Sequence, residues 1–116
     1  MVRCAAAHDL VRQFSQVVTG PEVARSKPAP DIFLEAANRL GCRPEDCIVL
    51  EDSIAGVRAG IAANMRVIMI PDLICPDDET EALCTAVVKT LMEAIPVIEG
   101  IVAEQDVSDG LTRARL

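Results

Sequence analysis

The chain has 116 residues, 51% of them hydrophobic and 25% charged, a one-domain length with globular rather than disordered composition. Eighteen acidic residues against eleven basic ones leave a formal charge of −7, and two Phe are the only aromatics. That surface excludes a basic stripe or a stacking platform for nucleic acid and offers little to an anionic membrane.

A phosphate-bearing ligand would therefore need a metal ion or a focused local cation. No apolar run approaches the roughly 18–20 residues of a transmembrane helix, and Met1 to Leu10 does not read as a signal peptide. The cysteines, Cys4, Cys42, Cys47, Cys75 and Cys84, are odd in number and irregular in spacing. Cys42 and Cys47 lack the C-x-x-C spacing of a redox or zinc site. All five read as free thiols of a reducing cytoplasm, with Cys47 buried.

In chain order, Leu10, Val11 and Phe14 suggest the end of a helix. Ser15 to Thr19 suggests a short strand stopped by Gly20-Pro21. From Pro30 to Leu40, residues Phe33, Ala36, Ala37 and Leu40 recur at i, i+3, i+4 and i+7. This predicts a helix, with Pro at its start and Gly41 just past its end. Cys47-Ile48-Val49-Leu50 is a continuous apolar run, the pattern of a strand covered on both faces of a parallel sheet. Ser53 to Ala63 reads as a helix with Ile54, Val57 and Ile61 on one face. Gly56 and Gly60 inside it each cost about 1 kcal/mol of helix propensity, so close packing against a neighbour is expected. Arg66 to Ile70 is a second apolar strand ended by Pro71. Together these form the β-α-β alternation of an α/β sheet.

From Asp77 to Ile95 the signals conflict. Leu83, Ala86, Val87, Leu91 and Ala94 fit a helix, whereas Thr85 to Lys89 also fits a short strand; periodicity favours the helix. After Gly100 the chain turns polar and reads as a loose tail. The expected organisation is an α/β core over 1–101 and a polar tail over 102–116.

Chemistry concentrates at Glu51-Asp52-Ser53, two carboxylates at the C-terminal end of a buried strand where a helix begins. Ligands of open α/β sheets bind outside such strand ends. Mg2+ is commonly held by one or two carboxylates, waters and substrate phosphate oxygens, so Glu51 and Asp52 suit half of a magnesium site. Helix capping by Ser53, with acids favoured near a helix N-terminus by roughly 0.3–1 kcal/mol, is the plainer account and is compatible with the first. Ser26-Lys27-Pro28-Ala29-Pro30-Asp31 places a lysine on a stiff segment. A fixed ammonium beside a metal suits charge stabilisation in phosphoryl transfer; alone, it is more simply a solvated lysine. His8 has no visible nucleophile to pair with, and no Gly-rich phosphate loop is present.

Taken in order, V-V-T-G-P-E-V-A-R-S-K-P-A-P-D-I-F, L-G-C-R-P-E-D-C-I-V-L-E-D-S-I-A-G-V-R-A-G and A-A-N-M-R-V-I-M-I-P-D-L resemble the haloacid dehalogenase (HAD) superfamily. The likeness is to its phosphatase and β-phosphoglucomutase-like branch and runs from about Leu10 to Ile98. It implies a Rossmann-like α/β core with a parallel sheet and Mg2+-dependent phosphoryl transfer through an aspartyl-phosphate. Lys27 matches the family's phosphate-stabilising lysine, although Ser26 stands where Gly is commoner. Glu51 and Asp52 match its acidic metal motif, with Ser53 beside them as a substrate-binding candidate. Thr85 to Lys89 becomes a strand by the same resemblance.

The family's nucleophile, the first Asp of D-x-D-G after an apolar strand, has no counterpart in the sequence. Asp106-Val107-Ser108-Asp109-Gly110 spaces its aspartates three apart, and no apolar strand precedes it. The expectation is a C-terminal portion of a HAD-like phosphatase acting on a small phosphorylated metabolite. It would lack its N-terminal strands and cap domain, be inactive alone, and be prone to self-association or to pairing with an N-terminal half. The alternatives are a non-catalytic interaction module and, for the complete protein, a β-phosphoglucomutase-like sugar-phosphate mutase.

Overall fold

The computed structural model describes residues 18–73 and 75–114, with the backbone alone for 105–114. The elements are α1 (Asp31–Leu40), β1 (Ile48–Glu51), α2 (Ile54–Ala62), β2 (Arg66–Met69), α3 (Asp78–Leu83), β3 (Ala86–Val87) and α4 (Leu91–Ala114). Short 3-10 turns lie at Gly20–Glu22 and Pro44–Asp46.

The strands form one parallel sheet in the order β1-β2-β3. Val49 faces Val67 and Glu51 faces Met69 across the first pair; Met69 faces Val87 across the second. Side chains alternate between the faces of a strand. Val49, Val67 and Met69 therefore share a face, and α2 covers it. With Val57, Ala37, Ala63 and Met65 they make the aliphatic core, which Phe33, Cys47, Ile54 and Ile61 flank.

α1 and α2 follow their sequence signals. Pro30 stands before α1, and Gly41 closes it with a left-handed φ of 69°. The Ser53 hydroxyl accepts the Gly56 N–H at 3.0 Å and caps α2. The close packing expected of the α2 glycines is present: a Cβ at Gly60 would stand 2.6 Å from Val67 Cγ2, and one at Gly56 would run into Cγ and Cδ of Glu51.

β2 is covered on both faces, with Val67, Ile68 and Met69 fully buried. β1 departs from that expectation. Val49 is buried but Leu50 is 41% exposed, because among the described residues β1 is an end strand and α2 covers only the Val49 face. Cys47 is half-buried rather than buried. Cys42, Cys47, Cys75 and Cys84 are free thiols; Cys4 lies outside the described residues, as do His8 and the expected helix end at Leu10–Phe14.

Most of the expected Ser15–Thr19 strand lies there too; Val18 and Thr19 join no strand, and both the N–H and the hydroxyl of Thr19 donate to Glu22. The ambiguous stretch resolves into a short helix, a two-residue strand at Ala86–Val87 and a new helix from Leu91. Nor is the segment after Gly100 loose, since α4 continues to Ala114. The helix takes in Pro96 as well as Gly100 and Gly110, at a propensity cost of about 3 kcal/mol for the proline and about 1 kcal/mol for each glycine, within an otherwise helix-compatible run. Asp106 to Gly110 lie inside this helix, not at a strand end. No helix among the described residues is long and apolar enough to cross a membrane.

Candidate active site

β1 ends at Glu51, and the chain passes through Asp52 to the Ser53 cap of α2. This delivers all three residues to the C-terminal edge of the sheet. Lys27 arrives from the opposite direction, on the loop before α1, and its peptide to Pro28 is cis. Its Nζ donates to Glu51 Oε2 at 3.0 Å. The contact joins positions 24 residues apart, a juxtaposition that local spacing could not reveal.

The other Glu51 oxygen accepts from the Ser53 hydroxyl at 3.1 Å and from the Asp52 N–H at 3.3 Å. The Glu51 side chain is only 10% exposed. Burial alone would raise its carboxyl above the ordinary range, but the Lys27 hydrogen bond and charge, with hydrogen bonds to the Asp52 and Ser53 side chains, outweigh burial and hold it below that range. Glu51 is therefore an anchored carboxylate.

Asp52 differs. It is exposed and borders an open cleft of about 400 Å³. Ser53, Ile54, Ala55, Met69, Asp72 and Leu73 complete that cleft, drawing on the C-terminal ends of both β1 and β2. Asp72 and Leu73 were not singled out from sequence; their place just after an apolar strand was the available signal.

Among the described residues, no three His, Cys, Asp or Glu side chains gather as a metal-binding group. The donor set thus offers one open carboxylate beside a second held by lysine. That suits one side of a Mg2+ site, whose remaining ligands commonly include waters and substrate phosphate.

A family model described as a haloacid dehalogenase-like hydrolase matches residues 1–64. The chain belongs to this family. Over 110 residues, 90% of its length, this HAD-like chain is 39% identical to a probable pseudouridine-5'-phosphatase of Drosophila melanogaster, of which it covers 47%. Over 60 residues, 52% of its length, it is 57% identical to a bifunctional riboflavin kinase/FMN phosphatase of Arabidopsis thaliana, of which it covers 16%. Among solved structures it is similar to a putative beta-phosphoglucomutase of Thermotoga maritima, at 34% identity and a TM-score of 0.62 over 70% of this chain and 38% of that one. The HAD-like chain therefore spans about half or less of the length of these relatives. Its parallel sheet is part of a Rossmann-like HAD fold.

Proposed function

We propose that the chain forms the Lys27–Glu51–Asp52 side of the active site of a Mg2+-dependent phosphomonoester hydrolase. The observation that carries this is the 3.0 Å contact that brings Lys27 to Glu51, beside the open Asp52 carboxylate, at the C-terminal edge of a parallel sheet. Lys27 would face a substrate phosphate and offset the negative charge that builds on it during transfer. Asp52 would be the direct metal ligand. Glu51 would stand next to it and hold Lys27 in place, and Ser53 would orient Glu51 while capping α2. Mg2+, when bound, supplies charge neutralisation at the phosphate oxygens.

The nucleophilic aspartate would come from a segment other than these 116 residues, so the polypeptide alone would be inactive. The phosphatase names of the Drosophila and Arabidopsis relatives support hydrolysis of a small phosphorylated metabolite. The beta-phosphoglucomutase name of the Thermotoga structure favours a sugar-phosphate mutase as the second reading. The free thiols fit the cytoplasm.

The test mixes purified 1–116 with the N-terminal part of a relative that carries an apolar strand and D-x-D-G. Each component and the mixture are assayed with several phosphomonoesters and Mg2+. Turnover is expected in the mixture alone. Ordinary turnover by 1–116 by itself would overturn the shared-site reading. A tight complex without turnover would favour the non-catalytic module.

A further inference from the structure

Lys27 meets a second group besides Glu51. Its Nζ lies 5.2 Å from the centroid of the Phe33 ring, within the about 6 Å over which an aromatic face attracts a cation. Phe33 sits in the first turn of α1, where its N–H donates to the Pro30 carbonyl at 3.1 Å. It also packs against the aliphatic core. The fold itself therefore fixes the ring, before any ligand arrives. Around it, the Lys27 loop is clasped at its base. Arg25 donates twice to the Asp31 carboxylate, at 2.9 and 3.3 Å, and the Ala29 N–H donates to the Ser26 carbonyl at 3.0 Å.

These contacts fix the loop backbone, but a lysine side chain remains flexible beyond it. Glu51 restrains the ammonium from one direction and the Phe33 ring from another. We propose that Phe33 is a positioning residue that holds the Lys27 ammonium at Glu51, where it would meet a substrate phosphate. The inference rests on the assignment of Lys27 to phosphate and adds a residue that the apolar helix pattern had placed only in the core.

The chain has two lysines, and Lys89 is exposed, so it serves as an internal reference. Trace acylation of the 116-residue chain with acetic anhydride, read by peptide mass spectrometry, gives the ratio of Lys27 to Lys89 labelling. Loss of the shielding ring in Phe33→Leu should raise that ratio about two- to fivefold, in keeping with the strength of an exposed cation–aromatic contact. Phe33→Tyr should restore the parent ratio. An unchanged ratio in Phe33→Leu overturns the role of Phe33. If Phe33→Leu fails to fold by circular dichroism, the parent decides. The Lys27 ε-methylene protons should then be displaced upfield of those of Lys89 in its NMR spectrum, and coincident signals overturn the proposal. A second arm adds inorganic phosphate, which should slow Lys27 acylation in the parent and in Phe33→Tyr more than in Phe33→Leu. A shifted ratio with no phosphate protection in any chain would overturn the phosphate assignment instead.

Discussion

Lys27 and Asp52 flank Glu51 but are assigned different partners, so their removal should separate two kinds of loss. In the active assembly, Asp52→Ala should raise the Mg2+ midpoint by at least the 10- to 100-fold typical of disturbed metal surroundings. Lys27→Met should lower turnover by roughly 10²–10³-fold, as loss of a charge-stabilising donor does, while leaving the Mg2+ midpoint near that of the parent. Magnesium titrations of both variants check this; an unmoved midpoint in Asp52→Ala would reduce the E-D-S segment to a helix cap. Glu51 makes the same pair visible in stability. Its carboxyl is held low mainly by Lys27, against its burial. The pair therefore contributes stability above the ordinary glutamate value of about 4.3 and loses it as pH falls through the lower folded value. Thermal melts of the active assembly should decline more steeply towards acid for the parent than for Lys27→Met. Parallel declines would mean that the pair leaves the folding equilibrium unchanged.

The α2 glycines carry the argument to the scale of elements. Gly60→Ala would add a Cβ 2.6 Å from Val67 Cγ2, a short β-branched arm fully buried on the central strand. Overpacking of this kind costs roughly 1–3 kcal/mol, against about 1 kcal/mol gained in helix propensity. Urea unfolding of the active assembly should show net destabilisation of up to about 2 kcal/mol; a gain would mean that propensity outweighs packing here.

That close approach was legible from two glycines in a largely apolar helix, as β2 was from its apolar run. Ala86–Val87 was ambiguous by pattern, because two residues are too few to show a strand period and their neighbours Leu83 and Leu91 mimic a helical face. The reach of α4 beyond Gly100 was hidden by polar residues that a surface helix accepts as readily as a loop. At the site, Glu51, Asp52 and Ser53 could be placed by their strand-to-helix junction. Lys27 could be joined to them only by family likeness, since nothing within a stretch of chain states which distant segment it will meet. Phe33 was masked by its second role, because an aromatic at a helical core position already has a sufficient explanation.

For the whole molecule, the decisive fact is a three-stranded sheet whose first strand has a neighbour on one side among the described residues and leaves Leu50 41% exposed. Leu91 and Met92 at the start of α4 are 60% and 74% exposed. Open strand edges and apolar surface promote pairing with other chains. Purified 1–116 should therefore scatter light as oligomers or aggregates and melt without a sharp transition. Adding a segment with the apolar D-x-D-G strand, linked or separate, should restore cooperative unfolding. A monomer with a sharp, reversible melt above the mesophilic range of about 45–65 °C would show that the sheet is already complete.

The bond between Lys27 and Glu51 also constrains how the sequence can drift over evolutionary time. Many ion pairs tolerate an exchange of partners, and such positions leave a record of compensated swaps in a lineage. Here each partner answers to a third party: the amine, on the proposed reading, to phosphate, and the carboxylate to its Ser53 and Asp52 donors at the mouth of α2. Reversing the pair would rebuild the attraction but turn a negative charge towards the phosphate and a cation towards hydroxyl and amide hydrogens. Positions 27 and 51 should consequently be inherited as a fixed couple in active descendants, and decay together where catalysis has been abandoned.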